Sequence, residues 1–456
     1  MHQLFVLSRL VPVSRLPLLV VLGLSSFALF ATPIKRLTFE QAIHIAQKND
    51  LWLLGNRQQQ NALNALSRAA NTLPDPVVSI GLANVAANSL TFNQEPMTQL
   101  KLGINQKFPR GDSLALKQQQ LASLAAQYPY QRDDRRAQVA LTVGKLWLDG
   151  YLAQQSIRLI KQDYGLFQQL TDIAQAKYAT TVGKNLQQDI IRAELVVSRL
   201  NDRIATLQQH QLVIEQQLMQ WLWVYTGNKN RIDEQLLTGF SLSVQLPNIA
   251  IEQPTLVKTS TNLSLTQLAQ HFMQHPSVKA IQQKILAATK TIALTKQSYK
   301  PAWSVTAGYG YRDSAPMGTN RSDLLSIGVS FDVPLFTNNK QDKQVIAAVS
   351  TQQSIETQKL LRLRQLMAQF NSSATELQQL DQRAKRYQQQ ILPQSNLQAE
   401  ATLNAYTNDD GDFAEVVRAR IDELNSKIDA LAISVAQQKA RLTLNYTTYQ
   451  SSLTKP

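Results

Sequence analysis

The chain has 456 residues and no cysteine, and its 46 Lys and Arg outnumber its 32 Asp and Glu, which gives a net charge of +14. Without cysteine there can be no disulfides, no thiolate metal sites and no lipid anchor on an N-terminal cysteine. The basic residues are spread along the chain instead of clustered, which is typical of solvated helix faces and argues against a nucleic-acid-binding function.

Residues 1–31 are typical of a secretory signal peptide. Arg9 and Arg15 precede an apolar run over residues 16–30, and small residues lie near its end. An uncleaved membrane anchor is the alternative, but this run is shorter than the roughly 20 residues that a membrane-spanning helix needs. We therefore predict an exported protein from which this segment is removed.

The remaining sequence repeats itself at a spacing of 225 residues. Residues 76–80 match residues 301–305, and Pro109 matches Pro334. Several such matches in the same order predict a tandem duplication. The predicted parts are a first repeat at 37–226, a linker at 227–262 and a second repeat at 263–450.

Each repeat contains two predicted strands that have one apolar and one polar face. In the first repeat, Leu102 and Ile104 alternate with Lys101 and Gly103, and a period of two residues places alternate side chains on opposite faces. Strands of roughly 10 residues can cross a bilayer when they are tilted. The predicted strands lie at about 76–86, 98–109, 301–312 and 324–335.

Four such strands cannot form a closed barrel within one chain. An open sheet in lipid leaves backbone groups unpaired at several kcal/mol each, and closure needs about eight strands or more. A dimer would supply eight strands around a filled interior, and a trimer twelve around an aqueous lumen. The aromatic-rich apolar face and the export signal favour such an assembly over a soluble α/β protein with two exposed hairpins.

A seven-residue rhythm predicts long helices that pack as coiled coils. Apolar positions step by four and three along residues 139–160, 193–221 and 417–442. Ordinary amphipathic helices in a globular bundle are the alternative, but residues 112–164 alone would form a helix about 80 Å long. Gly165 is predicted to end that helix.

This pattern resembles the TolC-like outer-membrane efflux family, over nearly all of the mature chain. The family's helix turns carry a tyrosine, a glycine and an acidic residue, which correspond here to Tyr178, Gly183 and Asp189 in the turn at 178–189 and to Tyr406, Gly411 and Glu415 in the turn at 406–415. The resemblance implies a mainly α chain that forms a homotrimer. Its 12-strand β-barrel in outer-membrane lipid, with four strands per chain, would continue as a long α-helical barrel in the periplasm.

One branch of the family is especially similar, the heavy-metal branch that includes CzcC and CusC. The similar segments are residues 73–76, 95–98, 106–111 and 333–342. This resemblance implies a duct for heavy-metal cations such as Cu, Ag, Co, Zn or Cd, supplied by an inner-membrane RND-type pump through a periplasmic adaptor protein. Ducts for drugs or for type I protein secretion are alternatives with the same fold. A soluble periplasmic coiled-coil scaffold is an alternative of another class.

Two carboxylates fall near the predicted tips, Asp189 and Glu415. In the trimer that the resemblance implies, they would form a ring of six carboxylates that favours cations, gated by salt bridges to Arg192 and Arg418. The alternative is two solvated ion pairs, each worth only about 0.2–0.5 kcal/mol.

The residues that would dock the adaptor at the tips are Val182, Gly183, Asp410 and Gly411. A plain turn is the alternative interpretation, since glycine and aspartate populate turns generally.

Metal binding and catalysis have little support in the sequence. His271 and His275 have the i,i+4 spacing of a helical metal site, but Pro276 follows at once and no carboxylate is near in sequence. Met97 and Met317 could offer soft ligands to Cu(I), although packing explains two single methionines equally well. No nucleophile or phosphate-binding motif appears, so we predict no enzymatic activity, no cofactor and no metal site.

Overall fold

The computed structural model describes residues 35–180, 186–223, 225–226, 231–232, 240–259, 265–408 and 410–451. The predicted signal peptide and residues 227–230, 233–239 and 260–262 of the predicted linker lie outside these residues. For them the sequence-based predictions stand as predictions.

Helices make up most of the described chain. They are α1 (Phe39–Asn49), α2 (Leu51–Ala69), α3 (Ser113–Ala125), α4 (Gln127–Thr180), α5 (Leu186–Leu222), α6 (Pro254–Thr259), α7 (Leu265–Phe272), α8 (Pro276–Lys296), α9 (Gln341–Arg386), α10 (Leu392–Thr407) and α11 (Phe413–Thr447). A π-helical turn, Tyr387–Ile391, joins α9 to α10. The strands are β1 (Lys35–Leu37), β2 (Val77–Ala83), β3 (Gln99–Phe108), β4 (Tyr225–Thr226), β5 (Arg231–Ile232), β6 (Phe240–Leu242), β7 (Trp303–Tyr311) and β8 (Leu324–Phe331).

The order of helix, hairpin and long helices occurs twice. Helix α2 leads through the hairpin β2–β3 into α3, α4 and α5, and α8 leads through β7–β8 into α9, α10 and α11. The two hairpins form one antiparallel sheet in the order β2-β3-β7-β8. The chain is therefore mainly α with a small β part, as predicted, and each hairpin strand lies inside its predicted range.

The longest helix differs from its predicted bounds. Helix α4 has 54 residues, which corresponds to about 81 Å. It begins only at Gln127, and α3 ends at Ala125. The two are separate because, in one continuous helix, Pro129 could donate no N–H and its ring would clash with the Ala125 carbonyl. It continues past Gly165, so the predicted end of the helix there was wrong. A Cβ at Gly165 would meet nothing within 4 Å, so this glycine lies on an open helix surface.

The apolar positions of the seven-residue rhythm are buried or half-buried where the helices pack. One core joins α1, α4, α5 and α11. A second joins α4, α5, α10 and α11 towards the helical tip, and a third joins α7, α8, α9 and α11. In the first core, the ring of the buried Trp147 packs edge-on against the ring of Phe39, with the ring centroids 5.7 Å apart. Its indole N–H donates to the Leu37 carbonyl at 3.1 Å. Burial of one such side chain contributes roughly 1.5–3 kcal/mol.

Arg110 links the sheet to the helices. Its guanidinium pairs with the Asp332 carboxylate and donates to the carbonyls of Ser298 and Lys300 at 3.1 and 2.7 Å. The next residue, Gly111, has a φ of 45°, and a Cβ there would collide with the Lys300 side chain. Glycine suits this turn because it adopts positive φ without strain and leaves room for the lysine.

Two glycines of α4 form a matched test of the helix packing. A Cβ on Gly144 would lie 2.5 Å from Leu442 Cδ2 and 3.1 Å from the Phe39 ring, whereas Gly165 is open. We expect Gly144→Ala to lower the unfolding temperature, because overpacking costs about 1–3 kcal/mol. Gly165→Ala should raise it through a gain in helix propensity of about 1 kcal/mol. Thermal melts followed by far-ultraviolet circular dichroism measure both, and equal shifts of one sign would contradict the described packing.

Candidate functional site

One face of the four-stranded sheet is apolar except for Gln106, and it is exposed in the single chain. Residues paired across the strands share a face, and Ile80, Leu102, Tyr309 and Leu325 form one such row. Five rows, two residues apart, extend over about 27 Å along the strands, the scale of the apolar band of an outer-membrane barrel. The exposed apolar residues of this face are Val78, Ile80, Leu82, Leu100, Leu102, Ile104, Phe108, Trp303, Val305, Tyr309, Tyr311, Leu325, Ile327, Val329 and Phe331.

Aromatic side chains lie at both ends of this apolar face. At the end that joins the helices, Phe108 is paired with Trp303, whose ring packs on Phe331 at 4.8 Å. At the loop end, Tyr311 stacks on Phe92 at 6.3 Å. Two aromatic belts that flank an apolar band are typical of the two membrane–water interfaces.

The opposite face of the sheet carries mainly small and polar side chains, with Val77 and Leu324 at its ends. A Cβ on Gly103 would lie 2.7 Å from the Ser79 hydroxyl, and one on Gly308 would lie 2.8 Å from the Ser326 hydroxyl. Glycine in a strand allows such close approach. This face therefore accommodates polar groups in little space, as the inner wall of a strongly curved sheet requires.

Both edges of the sheet are open within the single chain. Among the described strands, β2 pairs only with β3, and β8 pairs only with β7. Each edge strand therefore presents a row of unpaired N–H and C=O groups. In hydrocarbon every such group costs several kcal/mol, so the edges need further strands from outside the chain.

The far ends of the long helices form the second candidate site. The end of α4 and the start of α5 pack against the end of α10 and the start of α11 in one apolar core. The predicted tip turns of the two halves are thereby brought to the same end of the molecule. Residues 181–185, including Val182 and Gly183, lie outside the described part of the chain.

Asp189 lies in the first turn of α5 and is only 9% exposed. Arg192 Nη1 lies 3.5 Å from its carboxylate. Burial raises the pKa of the Asp189 carboxyl. The positive charges of Arg192 and Lys177 oppose this rise in pKa, and the negative charge of Asp412 adds to it. In the single chain Asp189 thus faces the packed helices, with its salt bridge to Arg192 formed.

Glu415 and Arg418 are exposed in the first turns of α11. A carboxylate at this position interacts favourably with the N-terminus of the helix dipole. No salt bridge joins the two side chains within the described residues, so only the first of the two expected ion pairs is formed in the single chain.

The second tip turn depends on Gly411. A Cβ there would lie 2.8 Å from the Tyr406 backbone nitrogen, and backbone cannot move away as a side chain can. Asp410 donates its N–H to the Ala405 carbonyl at 3.0 Å, and the Asp412 side chain caps α11 by accepting from Ala414 N at 3.0 Å. Asp410 and Gly411 are exposed, so this turn is accessible to a partner.

Some contacts at the tip were missed by the sequence analysis. Lys177 Nζ donates to the Tyr406 carbonyl at 2.6 Å and lies 4.0 Å from the centroid of its ring, which adds a cation–π attraction. These residues are 229 positions apart, and no sequence pattern pairs them. The Asp412 cap, in contrast, could have been found from its spacing to Glu415, which has the form of a capping box.

Comparison with solved structures identifies the fold. The chain superposes on the Campylobacter jejuni CmeC outer-membrane channel with a TM-score of 0.72 at 14% identity, over 91% of this chain and 86% of that one. It matches CusC, which forms a transmembrane channel, with a TM-score of 0.71 at 15% identity, over 90% of this chain and 92% of that one. The Vibrio cholerae outer-membrane protein VceC matches with a TM-score of 0.71 at 13% identity, over 90% of this chain and 96% of that one.

This is the outer-membrane channel fold. Compared by sequence, the chain matches no protein-family model and none of the curated proteins. The expected resemblance to TolC-like channels is confirmed at the level of the fold. None of the helices that the structure describes has an apolar stretch suited to crossing a membrane.

The two histidines with helical spacing, His271 and His275, do not share a helix. His271 lies in α7, whereas His275 is the N-cap of α8. The Ser277 N–H donates to His275 Nδ1 at 3.2 Å, so Nδ1 carries no proton, and Nε2–H donates to the Tyr446 carbonyl at 3.1 Å. Both ring nitrogens are occupied, which leaves His275 no lone pair for a metal.

Met97 and Met317, the two candidate soft ligands, lie in the loops of the two hairpins. Met97 and Met317 are exposed beside the loop end of the sheet. Within the described residues, no group of three or more histidine, aspartate or glutamate side chains could hold a metal ion.

His275 should make stability depend on pH. Burial lowers its pKa to about 3, and Arg362 adds to the decrease. The unfolded chain has a histidine pKa of about 6.5, so the unfolded state binds more protons. The stabilisation is complete above that value and is lost as the pH falls towards the folded pKa.

The matched variant is His275→Asn, which keeps an N-cap acceptor but does not titrate. Between about pH 7 and pH 5, the unfolding free energy of the natural chain should decrease by about 2 kcal/mol more than that of the variant. Urea titrations at the two pH values measure this difference. The same pH dependence in both chains would show that His275 is not held neutral.

Proposed function

We propose that the chain is one subunit of a homotrimeric outer-membrane channel, a passive exit duct with a large periplasmic portion. The observation that carries this proposal is the four-stranded sheet, which has one apolar face, one polar face and two open edges. Three copies supply twelve strands, enough to close a barrel around an aqueous lumen, whereas two would enclose only side chains. The apolar face then contacts lipid, and the polar face contacts water.

The helices support a tube that continues from the barrel. Helix α4 alone is long enough to extend about 81 Å from the sheet. Its packing with α5, α10 and α11 in one chain provides a wall segment that three copies would complete. The repeated order of helix, hairpin and long helices supports a tandem duplication as the origin of the two wall segments.

The tips are the proposed contact for other proteins. An adaptor would dock on Val182, Gly183, Asp410 and Gly411, and an inner-membrane RND-type pump would supply the substrate. The exposed second tip turn supports this arrangement. The fold shared with outer-membrane channels supports a duct over a soluble coiled-coil scaffold.

The cargo is a further part of the proposal. Heavy-metal cations follow from the sequence resemblance to the CzcC and CusC branch, with drugs or secreted proteins as the alternatives. Deletion of the gene followed by growth on metal salts and on drugs separates them, because sensitivity would appear only to the transported class.

Cysteine cross-linking tests barrel closure, and the chain contains no cysteine of its own. Ser79→Cys on β2 would be combined in turn with Ser326→Cys, Gly328→Cys and Ser330→Cys on β8, all on the polar face. If β8 pairs with β2 of the next copy, the combination in register should give covalent trimers on oxidation, because a disulfide needs Cα atoms about 4.4–6.8 Å apart.

The control combines Ser79→Cys with Ser304→Cys on β7, which the chain's own β3 and β8 separate from any neighbouring copy. It should give no covalent trimer. If none of the three β8 positions cross-links between copies in outer membranes, the shared barrel is ruled out.

Charge substitutions at the tip test the gate. If Asp189 and Glu415 line the constriction, Asp189→Asn combined with Glu415→Gln should lower the preference for potassium over chloride in planar bilayers. Arg418→Gln should raise it, since it removes a positive charge from the same place. An unchanged preference in both variants would remove these residues from the narrowest point.

A further inference from the structure

The four strands of the sheet contain two charged residues, Lys101 and Lys107, and both lie on β3. The strand register places both on the polar face. Lys101 is paired with Gly81 and Gly310, and Lys107 is paired with Ser304. Both lysines are exposed, and the strands contribute no carboxylate to the same face.

Neither lysine forms a salt bridge within the described part of the chain. Two of the acidic residues at the ends of the sheet have other cationic partners, and Asp75, two residues before β2, forms no salt bridge with either lysine. Asp332 pairs with Arg110, and Asp112 lies 3.2 Å from Lys300 Nζ. The positive charge that the strands carry on the polar face is therefore not neutralised by a salt bridge.

We infer that the barrel section of the duct attracts anions and repels cations. This inference rests on the proposed function, which turns the polar face towards the lumen. Three copies then place six lysines in the lumen, in two rings about 15 Å apart along the barrel axis, because Lys101 and Lys107 lie about 20 Å apart along a strand that is tilted by about 40°. The solutes that this section favours are anions, such as those that carry a carboxylate or sulfonate. The inference therefore argues against free metal cations as the cargo and for one of the alternatives named above.

The field of these rings acts where the lumen is narrow. A wall of low dielectric constant concentrates the field of charges inside a pore, and a ring of like charges sets the preferred sign of the permeating ion. Screening limits the effect to about 8 Å from each ammonium group at physiological ionic strength. The barrel therefore has a selectivity of its own, separate from the carboxylates at the helical tip.

A thiol placed beside Lys107 measures the local potential directly. Ser304→Cys introduces the only cysteine, on the polar face and paired with Lys107. In outer membranes it is treated with an anionic sulfonate or a cationic trimethylammonium methanethiosulfonate, and free cysteine gives the intrinsic rate ratio. The anionic reagent should be favoured by about two- to sixfold, the range for one unit charge about 8 Å away with and without screening.

Matched variants assign that preference to the lysine. Adding Lys107→Gln should abolish it, whereas Lys107→Arg should preserve it. Ser330→Cys, paired with Ser304 on β8, repeats the measurement if the first cysteine variant does not assemble. In planar bilayers, Lys101→Gln combined with Lys107→Gln should lower the chloride-to-potassium permeability ratio at least about twofold relative to the paired arginine variant.

The outcomes separate this inference from the proposed function. Equal rates with both reagents at Ser304→Cys, unchanged by Lys107→Gln, would overturn the inference and leave the duct intact. Val305→Cys, on the apolar face, should react with neither reagent because it faces lipid. If Val305→Cys reacts and Ser304→Cys does not, the polar face does not line the water-filled path, and the proposed function fails with the inference.

Discussion

The structure depends on the backbone groups that β2 and β8 leave unpaired. A four-stranded sheet with an apolar face suits lipid, but its two edges do not, because unpaired N–H and C=O groups in hydrocarbon cost several kcal/mol each. The chain cannot remove this cost by folding alone, since β2 and β8 lie at opposite ends of the strand order. Pairing with neighbouring copies is the physical solution, and it makes the barrel and the assembly a single requirement.

The same requirement places the rest of the chain. Both hairpins turn at one end of the sheet, and all four strands join helices at the other end, so the helical part continues from one end of the sheet. Arg110 holds this junction by linking the two hairpins through Asp332 and the carbonyls of Ser298 and Lys300. In the proposed duct the two sections differ in charge, with lysines in the barrel wall and carboxylates towards the tip, so charge selectivity would change along its length.

The site residues are positioned by contacts between the two halves of the chain. Asp189 of the first half is buried near Asp412 of the second, and Lys177 reaches the Tyr406 carbonyl. Movement of α10 and α11 relative to α4 and α5 must break or rearrange these contacts. Because Asp189 is buried while Glu415 is exposed, the two predicted gate carboxylates have different environments and are not equivalent members of one ring in the single chain.

The sequence alone determined the strands, their two faces and the apolar seams of the helices, because periods of two and of seven residues are local properties that any window of the chain displays. The alternation along β3 is enough to place Lys101 and Gly103 together on the polar face. Only the tertiary structure decided that α4 continues past Gly165, that His275 caps a helix, that Gly411 lies against the Tyr406 backbone and that β2 and β8 remain open. Each of these depends on which distant segments come into contact, and no local period records that information.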